Sequence, residues 1–504
     1  SQASYDSRRA NSILQRREPL AATVVAVELL QERTQDAKAE ADRAFGEITK
    51  DQIDAGAVQA KAQAAELPPR VKEVVVASAK GWTYTPPVAS DAEKLADAEA
   101  FSLCGTFDAA NRTVTLARGP NAATVRHMAR LQPQYIDFAE RYKSSGEEVC
   151  RVLAAPDSGL NTVIGIALVY IEVSDESLKA LAAPDIGLKA LTSLIVEVFS
   201  VNDAGIKALS APDSGLKALT TLALYYVNNV TDEGLRALAA SDTGLSTLSE
   251  LRLSSIHGTK LTQEGLKALA APDTGLTVLT SLTLAGPNVT DEGIKALAAP
   301  DSGLKALTTL DLSGDNVTAE GLEALAAPDT GLKNLTTLYL RGTNVTDEGL
   351  KALAATDTGL KNLTTLNLWN TAVTAEGLKA LAATDTGLKN LTTLNLNETT
   401  VTAEGLKALA APDTGLKNLT TLTLEFTAVT AEGLKALAAT DTGLKNLTTL
   451  TLRDTTVTAE GLKALAATNT GLKNLTTLNL SVTAVTDETI AAIKQRFPGI
   501  KIER

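Results

Sequence analysis

The sequence predicts an α/β solenoid: a stack of strand–corner–helix–turn units preceded by an α-helical N-terminal region. Three observations carry that prediction. A Gly-Leu pair recurs at Gly275, Gly303, Gly331, Gly359, Gly387, Gly415, Gly443 and Gly471, always 28 residues apart; earlier copies start at Gly159, Gly187, Gly215 and Gly244, with spacings of 28, 28, 29 and 31. A fixed period of this length marks units that bury their apolar faces only by stacking on one another. Inside each unit the apolar spacing switches from alternation, the strand period, to three residues apart, a helical spacing. With 44% hydrophobic but only 3% aromatic residues, the core must be built from Leu, Ala and Val.

Four parts follow in chain order. Residues 1–80 read as a helical N-terminal region, rich in Ala, Glu, Gln, Arg and Lys up to about residue 66. There Leu20, Val24, Val27 and Leu30 form one apolar stripe, which either packs on the first repeats or serves as a docking or oligomer seam. Pro68-Pro69 and the stretch from Gly81-Trp82 to Pro86-Pro87 end that region. Residues 81–158 read as an N-terminal cap with degenerate repeats. Val114 to Leu116 is a strand, a helix runs through Val125, Met128 and Leu131, and Ile136 to Phe138 is the next strand. Residues 159–493 are twelve repeats, and residues 494–504 replace the Gly-Leu turn with a last partial strand from Phe497 to Ile502, a C-terminal cap.

One unit explains the rest. In Gly303 to Leu312 the leucines Leu307, Leu310 and Leu312 read L-x-x-L-x-L, with Asp311 alternating outward from a strand. Val317 turns the chain, and Thr318 stands at a helix N-cap. Leu322 and Leu325 share one helical face, and Pro328-Asp-Thr-Gly331 stops the helix. At a strand spacing of about 4.8 Å, the thirteen or so strands expected make a sheet roughly 60 Å long.

The pattern L-x-x-L-x-L-x-x-T-x-V-T-[DA]-E-G-L-x-x-L over residues 159–502 resembles the leucine-rich repeat family, and is similar to its ribonuclease-inhibitor-like and cysteine-containing branches. The resemblance implies a parallel sheet on the concave face, short helices on the convex face, and a protein-recognition role. One departure is systematic. The position that is often Asn or Cys in the family is mostly Thr here, at Thr343, Thr371, Thr399, Thr427, Thr455 and Thr483, so the family's asparagine ladder is not carried over.

Charge narrows the partner. The net charge is −12, with most of it in the repeats, whereas nucleic-acid binding needs a basic stripe. No apolar run approaches the roughly 18–20 residues of a membrane span. Catalysis finds little support, because the two histidines, His127 and His257, lie on segments far apart in the chain. His127 could meet Cys104 as a nucleophile–base pair, or the two are a cap histidine and a buried thiol. Cys104 and Cys150 are either bridged or two buried thiols. No cofactor and no metal are expected. The turn ladder Asp329, Asp357, Asp385, Asp413 and Asp441 could hold Ca²⁺, but an Asx-type turn explains it without metal. A short Thr array, Thr421, Thr423, Thr449 and Thr451, resembles ice-binding solenoids and is interrupted by larger side chains. Glu376 and Lys379 are a helix-surface pair. Sequons such as Asn229-Val-Thr, Asn334-Leu-Thr and Asn397-Glu-Thr come with the repeat consensus.

Residues 331–480 are nearly identical between units, so the variation that remains is informative. It lies on and just after the strand, in two clusters. The first is Tyr225, Tyr226 and Arg252. The second is Tyr339, Arg341, Asn367 and Trp369, continuing to Asn395, Asn397, Glu425, Phe426 and Arg453. Tyr, Trp and Arg dominate binding hot spots, so these are candidate partner-binding residues; drift among tolerated exposed positions is the alternative. The expected function is a non-enzymatic scaffold binding a protein, or a glycan, through the strand face. The alternative is a structural subunit assembling with its own copies, docked by the N-terminal helices. The acidic balance and a chain that begins at Ser1 lean towards an exported or cell-surface bacterial protein, with the cytoplasm as the other compartment.

Overall fold

The chain divides into two compact units, Ser1–Thr83 and Tyr84–Arg504. The computed structural model describes residues 91–102, 104–138, 146–254, 260–286, 289–314, 316–483 and 485–504, all in the second unit. The helical reading of residues 1–80, the stripe at Leu20, Val24, Val27 and Leu30, His257 and the loop from 255 to 259 lie outside the described residues.

Every described strand joins one sheet of sixteen strands, ordered as in the sequence. The cap opens with α1 (Asp91–Ser102), β1 (Gly105–Asp108), β2 (Thr113–Leu116), α2 (Ala122–Leu131), β3 (Tyr135–Phe138) and α3 (Gly146–Ala154). Each repeat then gives one strand and one helix, from β4 (Gly165–Leu168) and α4 (Asp175–Leu181) to β15 (Thr477–Asn479) and α15 (Asp487–Arg496), before β16 (Lys501–Glu503) closes the sheet. β1 pairs antiparallel with β2, and all later neighbours pair parallel. The sheet therefore exceeds the thirteen strands expected, because the cap contributes three of its own. β1 and α1 were not legible in a segment without the repeat pattern.

The inward leucines do what their spacing predicts. Leu310, Leu312, Val317, Leu322 and Leu325 are fully buried, as are the leucines that follow them through Leu465, in one continuous core. Each unit's apolar side chains touch only the same unit and its neighbours, so cohesion passes from repeat to repeat. The Thr that replaces the family's Asn stays local. Thr343, Thr371, Thr399, Thr427, Thr455 and Thr483 each donate a hydroxyl to the carbonyl of the leucine three residues earlier.

A second polar device links repeats directly. The first helical residue of one repeat faces the N-cap of the next. Where it is Asp, its carboxylate accepts from the following N-cap: Asp203 from the Thr231 N–H at 2.8 Å and hydroxyl at 2.6 Å, and Asp347 from those of Thr374 at the same distances. Asp232 with Thr262 and Asp291 with Thr318 repeat the geometry. In these repeats the Thr hydroxyl also accepts from the backbone N–H two residues on, a complete cap. Where the preceding residue is Ala319, Ala375, Ala403 or Ala431, the caps Thr346, Thr402, Thr430 and Thr458 make no side-chain cap bond. The same holds after Gln263, at Thr290. The Gly two positions into the next helix admits this contact, since a Cβ on Gly377 would lie 2.5 Å from Asp347 Oδ1. Up to Thr458, one letter in a repeat thus sets the cap of its neighbour; in the last repeat Thr486, behind Ala459, instead accepts from the Thr489 N–H.

Candidate recognition surface on the strand face

Side chains alternate along a strand, so each repeat sends two outward, and parallel register aligns them in rows across the sheet. One row runs Ala167, Ile195, Ala223, Arg252, Thr283, Asp311, Tyr339, Asn367, Asn395, Thr423, Thr451, Asn479. Two residues further along stand Glu197, Tyr225 and Ser254 and, in the later repeats, Arg341, Trp369, Asn397, Glu425 and Arg453. Both candidate clusters lie on these rows or immediately after them.

The first cluster is broader than its sequence suggested. β4, β5 (Ser193–Glu197) and β6 (Thr221–Tyr225) are buried on both faces at their centres, where Ala167, Val169, Ile195 and Ala223 form a small apolar patch with Tyr170 and Tyr225 packed against it. Tyr226 stacks on Phe199, with ring centres 4.0 Å apart and planes at 18°, and Phe199 is 54% exposed. Arg252 pairs with Glu250 on its own strand. The Glu197 carboxylate accepts from the Tyr170 N–H at 3.0 Å, and burial pushes its pKa up against that bond. Phe199, Tyr170 and Glu197 were missed because the early repeats depart from the consensus that located the others.

In the second cluster the asparagines have defined work. Asn367 Oδ1 accepts from the Trp369 N–H at 3.0 Å, and Asn395 Oδ1 from the Asn397 N–H at 2.9 Å, each an Asx turn that ends its strand. Asn397 is itself buried, and its Oδ1 accepts from the Glu425 N–H of the next repeat. The rings carry cations. The Arg341 guanidinium sits 4.0 Å from the Trp369 ring centre and that of Arg453 5.6 Å from Phe426. The indole Nε1 of Trp369 is buried with no hydrogen-bond partner, and so are the hydroxyls of Thr423 and Thr451.

One position beyond the strand-end row, the backbone turns left-handed in most repeats. Gly314 (φ 81°) and Gly342 (66°) occupy it, but so do Tyr170 (68°), Tyr226 (65°), Asn370 (54°), Glu398 (53°), Phe426 (55°), Asp454 (49°) and Val482 (60°). This conformation costs a non-glycine residue roughly 1–2 kcal/mol. Phe426 is 41% and Val482 70% exposed, so burial offsets little of that cost.

The remaining candidates separate. Cys104 and Cys150 are free thiols rather than a bridge, and Cys104 is half-buried, not fully buried as the thiol reading had it. Thr124 donates its hydroxyl to Cys104 Sγ, while His127 packs against Phe101 in a tilted pair with ring centres 5.1 Å apart. Burial, then the Arg130 charge, lower the His127 pKa against the pull of Asp97. Asp385 and Asp413, of the turn ladder, accept from the hydroxyls of Thr356 and Thr384 in the preceding repeat. Glu376 and Lys379 pair at 2.6 Å on the helix surface. The sequon amides of Asn229 and Asn334 donate to the carbonyls of Phe199 and Lys305. Among the described residues no helix is long and apolar enough to cross a membrane, and no group of three or more His, Cys, Asp and Glu could hold a metal ion.

A leucine-rich repeat model matches residues 275–298, 303–326, 331–354, 359–382, 387–410, 415–438 and 443–466, in phase with the 28-residue period. Residues 275–466 are leucine-rich repeats. Repeats of this family form scaffolds for protein interaction. Solved structures similar to it include a leucine-rich repeat protein of Leptospira interrogans (20% identity, 77% of this chain and 81% of that one, TM-score 0.40) and an internalin of Listeria monocytogenes (20%, 66% and 88%, 0.38). The yeast Rad7–Elc1 complex also matches (19%, 80% and 95%, 0.43). At these scores the assignment of the fold rests on the chain's own sheet. No curated protein matches the chain in sequence.

Proposed function

We propose that this chain is a non-enzymatic scaffold that captures a protein partner on its strand face, with Tyr225, Tyr226, Arg252, Tyr339, Arg341, Asn367, Trp369, Phe426 and Arg453 forming or supporting the contact surface. One observation carries the reading. Phe426 stands exposed at a left-handed position that Gly314 and Gly342 occupy in earlier repeats. A phenyl ring at Phe426 gains little burial and strains the backbone, so the folded chain's own stability does not favour it there. A binding partner that buries the ring does.

The test compares partner capture by the full chain carrying Trp369→Ala, Phe426→Ala or, on the helix face, Lys379→Ala. The strand-face changes should each reduce capture by roughly tenfold or more, as hot-spot truncations do, and Lys379→Ala should leave it unchanged. The opposite pattern would overturn the reading. Near-identity of residues 331–480 at water-facing positions favours a second reading, a spacer or lattice element assembling with its own copies. Light scattering of the full chain separates the two: concentration-dependent growth in mass supports assembly, and a constant monomer mass supports the scaffold.

A further inference from the structure

The turns that lead into the strands build a second surface along one edge of the sheet. From Gly331 to Thr476 every such turn reads Gly-Leu-Lys-Asn-Leu-Thr. Its asparagine donates Nδ2–H to the lysine carbonyl of the preceding repeat: Asn362 to Lys333 at 3.0 Å, and Asn390, Asn418 and Asn446 to Lys361, Lys389 and Lys417 at 2.9 Å. Two residues on, Thr364 donates its hydroxyl to the Thr336 carbonyl at 3.0 Å, and Thr392 and Thr420 donate to those of Thr364 and Thr392 at 3.1 Å. The two ladders line a groove of about 610 Å³. The threonine hydroxyls use their hydrogen on the backbone, and the asparagine Oδ1 atoms receive none from a described residue. Each repeat therefore offers two acceptor oxygens and one amide N–H. The fold does not require the asparagine, because Ala190, Ala218, Val278 and Ala306 hold its place in earlier repeats.

The rim of this groove is cationic. Lys333, Lys361, Lys389, Lys417 and Lys445 are exposed, one per repeat, and among the described residues none of them makes an ion pair. On the helix face, by contrast, Lys351, Lys379, Lys407 and Lys435 each pair with a glutamate. The turn aspartates four residues before the rim lysines bond elsewhere: Asp385 and Asp413 accept from the hydroxyls of Thr356 and Thr384. At about 4.8 Å per strand, the six asparagines from Asn334 to Asn474 span about 24 Å, with one rim ammonium per step. This is a local cationic row on a chain of net charge −12.

We propose that this edge is a binding groove for a linear acidic polysaccharide with one carboxylate per sugar, its hydroxyls on the Asn and Thr ladders and its carboxylates on the lysine row. It does not rest on the strand-face reading. A surface that is the same in every repeat fits a ligand that is itself periodic, which gives the near-identity of residues 331–480 a use at this edge. Period selects the polymer. An extended peptide repeats every two residues, about 6.6 Å, out of step with the strands. One pyranose advances an extended glycan by close to one strand spacing, and its hydroxyls both donate and accept, as the ladders require. With only Asn and Thr in the lining there is no ring for a sugar to stack on. Each repeat then binds weakly, and affinity comes from linking several contacts on one chain.

The experiment is calorimetric titration of the full chain with galacturonate oligomers. Saturable binding is expected, weakened by salt, with affinity rising from the dimer to about the hexamer and then levelling as the groove is filled. Fully methyl-esterified hexagalacturonate keeps the hydroxyls without the charge, and capped hexaglutamate keeps the charge without the hydroxyls or the period; each should bind at least tenfold more weakly. Lys361→Glu, Lys389→Glu and Lys417→Glu together should weaken binding by roughly tenfold or more. The same three reversals at Lys351, Lys379 and Lys407 on the helix face, a charge-matched control, should change it by less than about threefold, since salt screens distant charges. Asn390→Ala with Asn418→Ala, a change the earlier repeats already carry, should leave the melting temperature in place and weaken binding by roughly fivefold or more. Absence of saturable binding, equal binding of hexaglutamate or of the methyl ester, or wild-type binding by the rim-lysine or asparagine variants would each overturn the proposal.

Discussion

Replacing Asp347 with Ala should weaken the solenoid at one interface while leaving every core leucine in place. Asp347 accepts from both the N–H and the hydroxyl of Thr374, and Thr374 in turn caps the next helix. A net hydrogen bond to a charged group contributes about 1.5–3 kcal/mol. Asp347 is half-buried and solvent competes for it, so the lower end applies to each bond. The Thr374 N–H is then left without its acceptor, and the loosened cap adds up to about 1 kcal/mol. The expected loss is therefore about 3–4 kcal/mol, read as a lower urea midpoint, with a second transition if the interface uncouples the two halves of the array. The internal control uses the natural variation between repeats. Thr374→Ala should cost about 1–2 kcal/mol, whereas Thr402→Ala, whose hydroxyl makes no cap bond behind Ala375, should stay within about 0.5 kcal/mol of wild type. Ala375→Asp should build the missing clamp and stabilise. A loss below about 0.5 kcal/mol for Asp347→Ala, or equal costs for the two threonines, would refute the inter-repeat origin of the cap.

Three further outcomes follow from the geometry. Phe426→Gly removes a left-handed phenylalanine at an exposed site and should raise stability by about 1 kcal/mol in urea unfolding while reducing partner capture. Glu197→Gln preserves the acceptor for the Tyr170 N–H and removes a carboxylate whose pKa burial has raised. Ionisation of that group therefore costs stability above its folded pKa, and the cost vanishes as pH falls through it. The variant should be more stable than wild type at pH 7, with the difference closing at lower pH, as melting curves across that range will show. Cys150 is fully buried and its pKa is pushed up to about 12 by burial, opposed by a hydrogen bond to Ser177, so it stays a neutral thiol at pH 8. A thiol reagent should label Cys104 in the native protein and reach Cys150 only on unfolding.

What the sequence revealed depended on how locally each feature is encoded. Leu310, Leu312, Leu322 and Leu325 announce strand and helix because both periods lie within one unit, and the solenoid follows from repetition. The Asp347–Thr374 clamp was invisible for the opposite reason: its partners are 27 residues apart, and the consensus hid which repeats carry Asp and which Ala. Asn367 and Asn395 were legible as variable strand-face residues, yet their Asx turns depend on backbone geometry at the strand end. Phe199, Tyr170 and the patch at Ile195 escaped notice because the early repeats do not follow the spacing that located Tyr339 and Trp369. β1 and α1 have no repeat pattern to betray them.

The most direct test of the strand-face account places a photo-crosslinking residue at 369 or 426 on the strand face and at 379 or 407 on the helix face of the full chain. The account predicts adducts with one partner protein from positions 369 and 426 and none from 379 and 407. Adducts from the helix-face positions alone, or adducts whose mass is that of a second copy of this chain, would contradict it.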